Sequence, residues 1–267
     1  MTRQEENREL LKLFAPLRVA DVRDGMDWMG YHFYGTLDKN IRPLWRTRIC
    51  GIARTARYLP FEGPTPLLRG EEYTQWSNWY YNNVATYPWI EEIEDGDVIV
   101  LDMSGVDVGL MGSDNTLACV AKGARGFITN GGGIRDTDEC ILQKVPVWSY
   151  FASQKMDQAR IRFSEKNVPV AIGGVAIYPG DVIVADGDGV IAVPRAVARD
   201  VAKFRCAQHR ALLLLGSATP DVVSRYYAET GRYHYFTLPD RFNARKLPDV
   251  IIADMKQELR NGNSGSI

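Results

Sequence analysis

The sequence predicts an α/β fold. Short apolar runs of strand length, among them Val98 to Asp102, Gly126 to Thr129, Val182 to Asp186 and Val190 to Val193, are bounded by glycine- and aspartate-rich turns. Stretches with helical spacing of their apolar residues alternate with those runs, at residues 3–14, Val19 to Met29 and Asn115 to Lys122. Such alternation places helices against a sheet, with loops at the strand ends free to carry chemistry.

The elements follow in order. Residues 3–14 form an amphipathic helix, and a second helix ends at Gly30. Ile49 to Leu59 alternates and reads as a strand. Residues 60–92 then break the pattern with Pro60, Gly63, Pro64, Pro66, Gly70 and Pro88, and with the aromatic rings of Trp76, Trp79, Tyr80, Tyr81 and Trp89. So long an irregular segment points to a functional loop or to packing at a subunit contact. Val145 to Tyr150 is a further strand, and Val168 to Ile177 is read as a strand bent at Gly173-Gly174. Asp186-Gly187-Asp188-Gly189 joins the next two strands into a tight hairpin. A helix runs from Arg195 to about Leu215, Thr219-Pro220-Asp221 starts another, and Asp249 to Arg260 forms the last before a polar tail. We divide the chain into a domain over residues 1–205 and a helical extension with a flexible tail over 206–267.

Composition excludes several classes of function. A formal net charge of −1 over 267 residues gives no basic face for nucleic acid. Cys50, Cys119, Cys140 and Cys206 are scattered, without a CxxC or Cys/His cluster, so a structural zinc site is not expected. His32, His209 and His234 form no ligand pattern. The apolar run Ala211 to Leu215 is far too short to cross a bilayer, and the polar N-terminal stretch lacks a secretion segment. The expectation is a cytoplasmic protein with free thiols and no membrane partner. The run Gly131-Gly132-Gly133 has neither GxGxxG spacing nor a following Lys-Ser/Thr, so it is no dinucleotide or nucleotide loop. No glycine-rich adenosylmethionine loop is present either.

One constellation carries chemistry. Asp114 and the pair Arg135-Asp136 are separated by 20 residues that read as helix, turn and strand, closing on the loop Asn130-Gly131-Gly132-Gly133-Ile134. That path returns the chain to its start and gathers two carboxylates and a guanidinium at one cleft. Paired carboxylates hold a divalent cation or its waters, and an arginine fork grips a carboxylate or an enolate oxygen. The competing reading is a surface Arg-Asp pair in which Asp136 caps a helix.

Several segments resemble a known family. Tyr178-Pro179-Gly180-Asp181-Val182-Ile183-Val184-Ala185-Asp186 with Gly187-Asp188-Gly189-Val190-Ile191-Ala192-Val193-Pro194, together with Ile41-Arg42-Pro43-Leu44 and Gly96-Asp97-Val98-Ile99-Val100, is similar to the RraA-like family over about residues 16–205. That family includes the regulator of ribonuclease E activity A and the 4-hydroxy-4-methyl-2-oxoglutarate/4-carboxy-4-hydroxy-2-oxoadipate aldolases. The resemblance implies a β/β/α swivelling domain, with N-terminal helices and a C-terminal helical extension, assembled as a homotrimer or a dimer of trimers. Aldolase members carry Asp, twenty residues, then Arg-Asp, which Asp114, Arg135 and Asp136 match. The resemblance implies that Asp136 ligates Mg²⁺ or Mn²⁺, that Asp114 holds a water of the ion's shell, and that Arg135 steadies a pyruvate enolate. The backbone near Ser113, Asn115 and Thr116 opens a helix and suits a substrate carboxylate. Asp24 falls where aldolase members supply a carboxylate from a neighbouring subunit, with Asp21 and Asp27 as alternatives.

The expectation is a metal-dependent lyase cleaving a 4-hydroxy-2-oxo acid, with oxaloacetate decarboxylation as a side activity through the same enolate. Schiff-base chemistry would need a buried lysine, and Lys122 and Lys144 flank helices instead. A non-enzymatic regulator of the ribonuclease inhibitor kind and a metal enzyme acting on a sugar acid or keto-sugar are the alternatives. Asn130-Gly131 departs from the family pattern, which has an aspartate at that strand end.

Overall fold

The computed structural model describes residues 2–208 and 222–236. The chain divides into two compact units, Met1–Leu213 and Leu214–Ile267. In the first unit α1 (Arg3–Phe14) opens on a capping box: the Thr2 hydroxyl accepts from Glu5 N–H at 3.2 Å, and the Glu5 carboxylate accepts from Thr2 N–H at 2.7 Å. Its inner face buries Leu10 and Phe14. Next comes α2 (Val19–Trp28), closed by Gly30 at φ +84°. Then follow β1 (Arg42–Pro43), β2 (Ile49–Pro60), α3 (Gly70–Asn83), a 3₁₀ turn at Ile90–Glu92, β3 (Asp97–Asp102), α4 (Ser113–Ala121), β4 (Gly126–Thr129), α5 (Thr137–Leu142) and β5 (Val147–Ser149). The unit continues with β6 (Ile161–Lys166), β7 (Val170–Ile172), β8 (Val175–Ile177), β9 (Val182–Asp186), β10 (Gly189–Val193) and α6 (Arg195–Gln208).

The long strand β2 organises the sheet, whose order is β1-β5-β4-β3-β2-β9-β10. Its first residues pair antiparallel with β9, its middle pairs parallel with β3, and its end pairs antiparallel with β6. β3, β4 and β5 run parallel, because α4 and α5 each carry the chain back for another parallel strand. Apolar residues on one side of these strands (Ile99, Leu101, Phe127) pack with Trp89, Cys119 and Cys140. The helices α1, α2 and α6 cover β9 and β10 through Phe14, Met26, Val201 and the strand valines. An α/β fold with N-terminal helices is thus what the chain forms.

Three sequence expectations change. Residues 60–92 are not irregular throughout: α3 occupies Gly70–Asn83, with Pro60, Pro64, Pro66 and Pro88 flanking it rather than interrupting it. Glu71 and Glu72 lie in its first turn, where carboxylates favour a helix N-terminus. Val168 to Ile177 is not one bent strand: Gly173 and Gly174, at φ +55° and +80°, turn the chain so that β7 and β8 form an antiparallel hairpin. β6, unread in the sequence, adds to the end of β2. The expected helix Arg195 to Leu215 is described as far as Gln208, while the Thr219-Pro220-Asp221 start, the helix from Asp249 and the tail lie outside the described residues. In the second unit α7 (Val222–Glu229) is followed by a cluster in which Tyr227 packs on Tyr233 and Arg232 lies over the Tyr227 ring.

Candidate active site

The cleft forms where the parallel strands β3 and β4 end. The chain leaving β3 and the chain leaving β4 run side by side: Met111 N–H donates to Gly133 C=O at 3.0 Å, and Arg135 N–H donates to Met111 C=O at 2.9 Å. This two-bond clasp brings Gly112–Asp114 alongside Arg135–Asp136. It is the physical content of the 20-residue spacing, one α4 crossover long. Glycine lets the two loops touch. A side chain on Gly132 would meet Val108 C=O at 2.7 Å, and one on Gly112 would meet Asp136 Oδ2 at 2.6 Å.

Asp136 bears on both readings of the Arg-Asp pair. It occupies the N-cap position of α5, yet its side chain makes no capping bond to that helix. Its backbone is left-handed, φ +56° and ψ +45°, a conformation that costs free energy in a non-glycine residue. Its carboxylate faces the other way. Oδ1 accepts from Arg135 Nε at 3.2 Å, and Oδ2 accepts from Ser113 N–H at 3.4 Å, at the N-terminus of α4. The carboxylate is therefore turned toward the cleft rather than over its own helix.

The cleft has a volume of about 230 Å³, and Asp114, Asn115, Arg135 and Asp136 line it together. Tyr81 from α3 and Tyr87 line the same cleft, so the aromatic segment borders the site, as one of its two expected placements requires. Thr116 does not reach the cleft. It is buried, with its hydroxyl within 3.0 Å of both the Gly112 and Ser113 carbonyls and its N–H given to Gly112 C=O. Ser113 offers its N–H, which Asp136 takes. Asp24 lies on the exposed side of α2 and is not among the lining residues of this chain's cleft. Lys122 is exposed and pairs with Glu91, and Lys144 is exposed at a positive φ, so neither has the dry setting of a Schiff-base lysine.

Behind the tyrosines lies a carboxyl that sequence reasoning missed. Asp157 is buried, and burial pushes its pKa up while Tyr81 and Tyr87 pull against that rise. Tyr87 has one hydroxyl proton and two acceptors in reach: Leu110 C=O at 2.9 Å and Asp157 Oδ2 at 3.0 Å. A carbonyl only accepts, so when Tyr87 donates to Leu110 the second bond forms only if Asp157 carries a proton. Burial pushes Tyr81 up to about 12 and Tyr87 higher still, so both remain phenols. No local motif marks Asp157; only the return of residues 150–160 past Gly109 and Ile134 brings it here.

Asn130 has a structural role. Its Nδ2 donates to Asp102 Oδ1 at 2.8 Å and Ala171 C=O at 3.0 Å, and its Oδ1 accepts from Met103 N–H at 2.7 Å. An aspartate there would supply no donor and would set two carboxylates together. The cysteines Cys50, Cys119 and Cys140 are free, and burial pushes Cys50 and Cys119 up to about 12, so they are inert as nucleophiles.

As a metal site the donor set is sparse. Among the described residues, no three His, Cys, Asp or Glu side chains converge. Asp114 and Asp136 suit a hard cation that keeps most of its own waters, as Mg²⁺ does, and do not suit a closed protein cage. Among the described residues, no helix is long and apolar enough to cross a membrane.

Fold and site together define a class: an α/β protein with a carboxylate–arginine cleft at the ends of its parallel strands. The profile of the RraA-like family (Aldolase/RraA) matches residues 19–192, and the chain belongs to that family. Among curated proteins, a 125-residue stretch is 34% identical to a putative 4-hydroxy-4-methyl-2-oxoglutarate aldolase of Halalkalibacterium halodurans, covering 45% of this chain and 57% of that protein. A 71-residue stretch is 44% identical to the replication restart protein PriA of Bacillus subtilis, covering 27% of this chain and 9% of that protein. The chain thus spans less than two thirds of either relative. Among solved structures, Streptomyces coelicolor RraAS2, an unusual member of the RNase ES inhibitor RraA protein family, superposes with a TM-score of 0.60 at 24% identity. That match covers 76% of this chain and 92% of that one, and it shows the fold.

Proposed function

We propose that this chain is a divalent-metal-dependent lyase that cleaves a carbon–carbon bond in a 4-hydroxy-2-oxo acid by way of a pyruvate enolate, with oxaloacetate decarboxylation as a second use of the same enolate. The observation that carries the reading is Asp136: strained, withheld from its own helix, and turned with Arg135 and Asp114 into one cleft. The aldolase name of a relative agrees with it.

Asp136 and Asp114 would hold Mg²⁺ or Mn²⁺, which supplies positive charge for the enolate when bound. Arg135 presents a planar fork to the 2-oxo acid and keeps it in register for cleavage. The N-terminus of α4 adds backbone N–H groups and a partial positive charge beside the substrate carboxylate. Tyr81 and Tyr87 form one wall of the cleft. The family resemblance assigns the base that takes the distal hydroxyl proton to Asp24 of a neighbouring subunit, in a homotrimer or homohexamer; among the described residues, Asp114 and Asp136 are the carboxylates that line this chain's own cleft.

A coupled pyruvate-release assay over a panel of oxo-acids, with Mg²⁺ and with EDTA, tests the proposal. Metal-dependent release that Asp136→Ala abolishes is expected. Full activity of that variant at saturating Mg²⁺ would remove the metal assignment. No release by the wild type from any member of the panel would favour a non-enzymatic regulator.

A further inference from the structure

Residues 150–160 strap the two loops of the cleft together. Gly109 N–H donates to Lys155 C=O at 2.8 Å, Ser153 N–H donates to Ile134 C=O at 3.0 Å, and Met156 joins the cleft lining. The next residue is Asp157, 2% exposed, whose Oδ2 lies 3.0 Å from the Tyr87 hydroxyl. That hydroxyl also lies 2.9 Å from the Leu110 carbonyl. Leu110 lines the cleft and directly precedes Met111, the residue clasped to Gly133 and Arg135. One phenol thus joins the buried carboxyl to the loop that holds Arg135.

That phenol is fixed in place. The Tyr87 ring packs between the buried rings of Tyr58 and Trp89, with centroids 6.4 and 6.2 Å away, and Trp89 Nε1 donates to the Tyr58 hydroxyl at 2.8 Å. What remains free is the direction of the Tyr87 proton. When Asp157 is protonated, it donates to Tyr87 and Tyr87 donates to Leu110, so every group is satisfied. Burial pushes the Asp157 carboxyl up, which favours this arrangement. When Asp157 is ionised, it draws the Tyr87 proton to itself, because a charge-assisted hydrogen bond is the stronger one. The Leu110 carbonyl, on a buried residue, then loses that donor, and a buried carbonyl without a donor is unfavourable.

We infer that Tyr87 is a positioning residue for Arg135, acting through the Leu110 carbonyl, and that the proton on Asp157 decides whether it acts. The inference rests on the lyase reading and adds to it a control by pH: the loop is held while Asp157 is neutral and released as pH rises through its folded value. The titratable groups facing Asp157 are the phenols of Tyr58, Tyr80, Tyr81 and Tyr87, with Arg135 as a permanent cation. Burial raises all four phenols, Tyr80 and Tyr81 to about 12, so they stay neutral while Asp157 titrates. On its own segment Lys155 pairs with Asp107, and Arg160 donates to the Met156 carbonyl at 2.9 Å and the Gln158 carbonyl at 3.3 Å.

The test follows deuterium exchange into the methyl group of pyruvate, in D₂O with Mg²⁺, across pH, with a thermal melt of each preparation. Tyr87→Phe keeps the packed ring and removes the proton, so its exchange should fall on the order of 10²-fold, the scale of a misplacement near 1 Å. Asp157→Asn carries no charge at any pH and still offers N–H to Tyr87. Its exchange should match the wild type at acid pH, and the ratio of wild type to Asp157→Asn should fall as pH rises. That ratio cancels titration elsewhere in the site, and it decides alone if Tyr87→Phe does not fold. Undiminished exchange in a folded Tyr87→Phe variant, or a ratio constant across pH, overturns the inference while leaving the lyase reading in place. No exchange by the wild type at any pH overturns the lyase reading, and the inference with it.

Discussion

Gly112→Ala isolates the placement of Asp136 from its presence. Gly112 has φ −100° and ψ −177°, extended backbone that alanine adopts without strain. The added methyl carbon would stand 2.6 Å from Asp136 Oδ2, where ordinary contact begins at 3.4 Å, so the carboxylate must retreat by about 0.8 Å. The atom that yields is the end of a side chain, not backbone, so folding should lose no more than about 1 kcal/mol, the scale of a poorer N-cap residue. Catalysis should lose far more. A misplacement near 1 Å costs on the order of 10²-fold when geometry is set to the reacting atoms. Pyruvate release at saturating Mg²⁺, with a thermal melt of the same preparation, gives both quantities. Gly109→Ala is the contrast, because its new carbon meets the Ser153 carbonyl at 2.7 Å, and backbone must move. That variant should lose stability by about 1–3 kcal/mol, as overpacking does. Wild-type turnover in a stable Gly112→Ala variant would refute the idea that Asp136 is held in place for chemistry.

Further outcomes follow from other groups. Arg135→Lys keeps the charge and loses the planar fork, so kcat should fall on the order of 10²-fold or more; near-normal turnover would make Arg135 a salt-bridge residue only. Mixing inactive Asp24→Ala and Asp136→Ala protomers should restore part of the activity, because a closed ring then contains sites with both residues intact; a fully active monomer in sedimentation contradicts this. Asp157 has its folded-state pKa raised above 3.8, so its contribution to stability is complete below that value and is lost as pH rises through the folded value. Asp157→Asn abolishes that loss, so its stability relative to wild type should rise from acid to neutral pH. The comparison cancels Asp97 and Asp181, which burial also raises. Denaturation at several pH values that shows a constant difference would deny the buried proton.

Elements with strong local patterns were legible in the sequence. The β9–β10 hairpin follows from Asp186-Gly187-Asp188-Gly189 between two apolar runs, and β4 ends at Thr129 because the glycine run begins. The clasp between Met111 and Arg135 was legible only as a spacing; its hydrogen bonds depend on tertiary pairing. α3 was hidden because its flanking prolines and its aromatic residues argued for a loop, although its interior holds no proline. Asp157 and Met156 were not legible at all. Their place at the cleft depends on residues 150–160 crossing two other loops, a contact with no local signature. Thr116 was read as offering its backbone N–H to a substrate carboxylate from its position at a helix start, but that N–H is given to the Gly112 carbonyl at 3.1 Å.

The central claim is that the cleft stabilises an enolate, and it is tested most directly without knowing the substrate. Pyruvate placed in D₂O with the protein and Mg²⁺ should exchange its methyl protons for deuterium, followed by the loss of the methyl signal in proton NMR. The account predicts exchange by the wild type that stops with EDTA and is absent in Asp136→Ala and strongly reduced in Arg135→Lys. Exchange no faster than in buffer with Mg²⁺ alone, or exchange undiminished in Asp136→Ala, would contradict it.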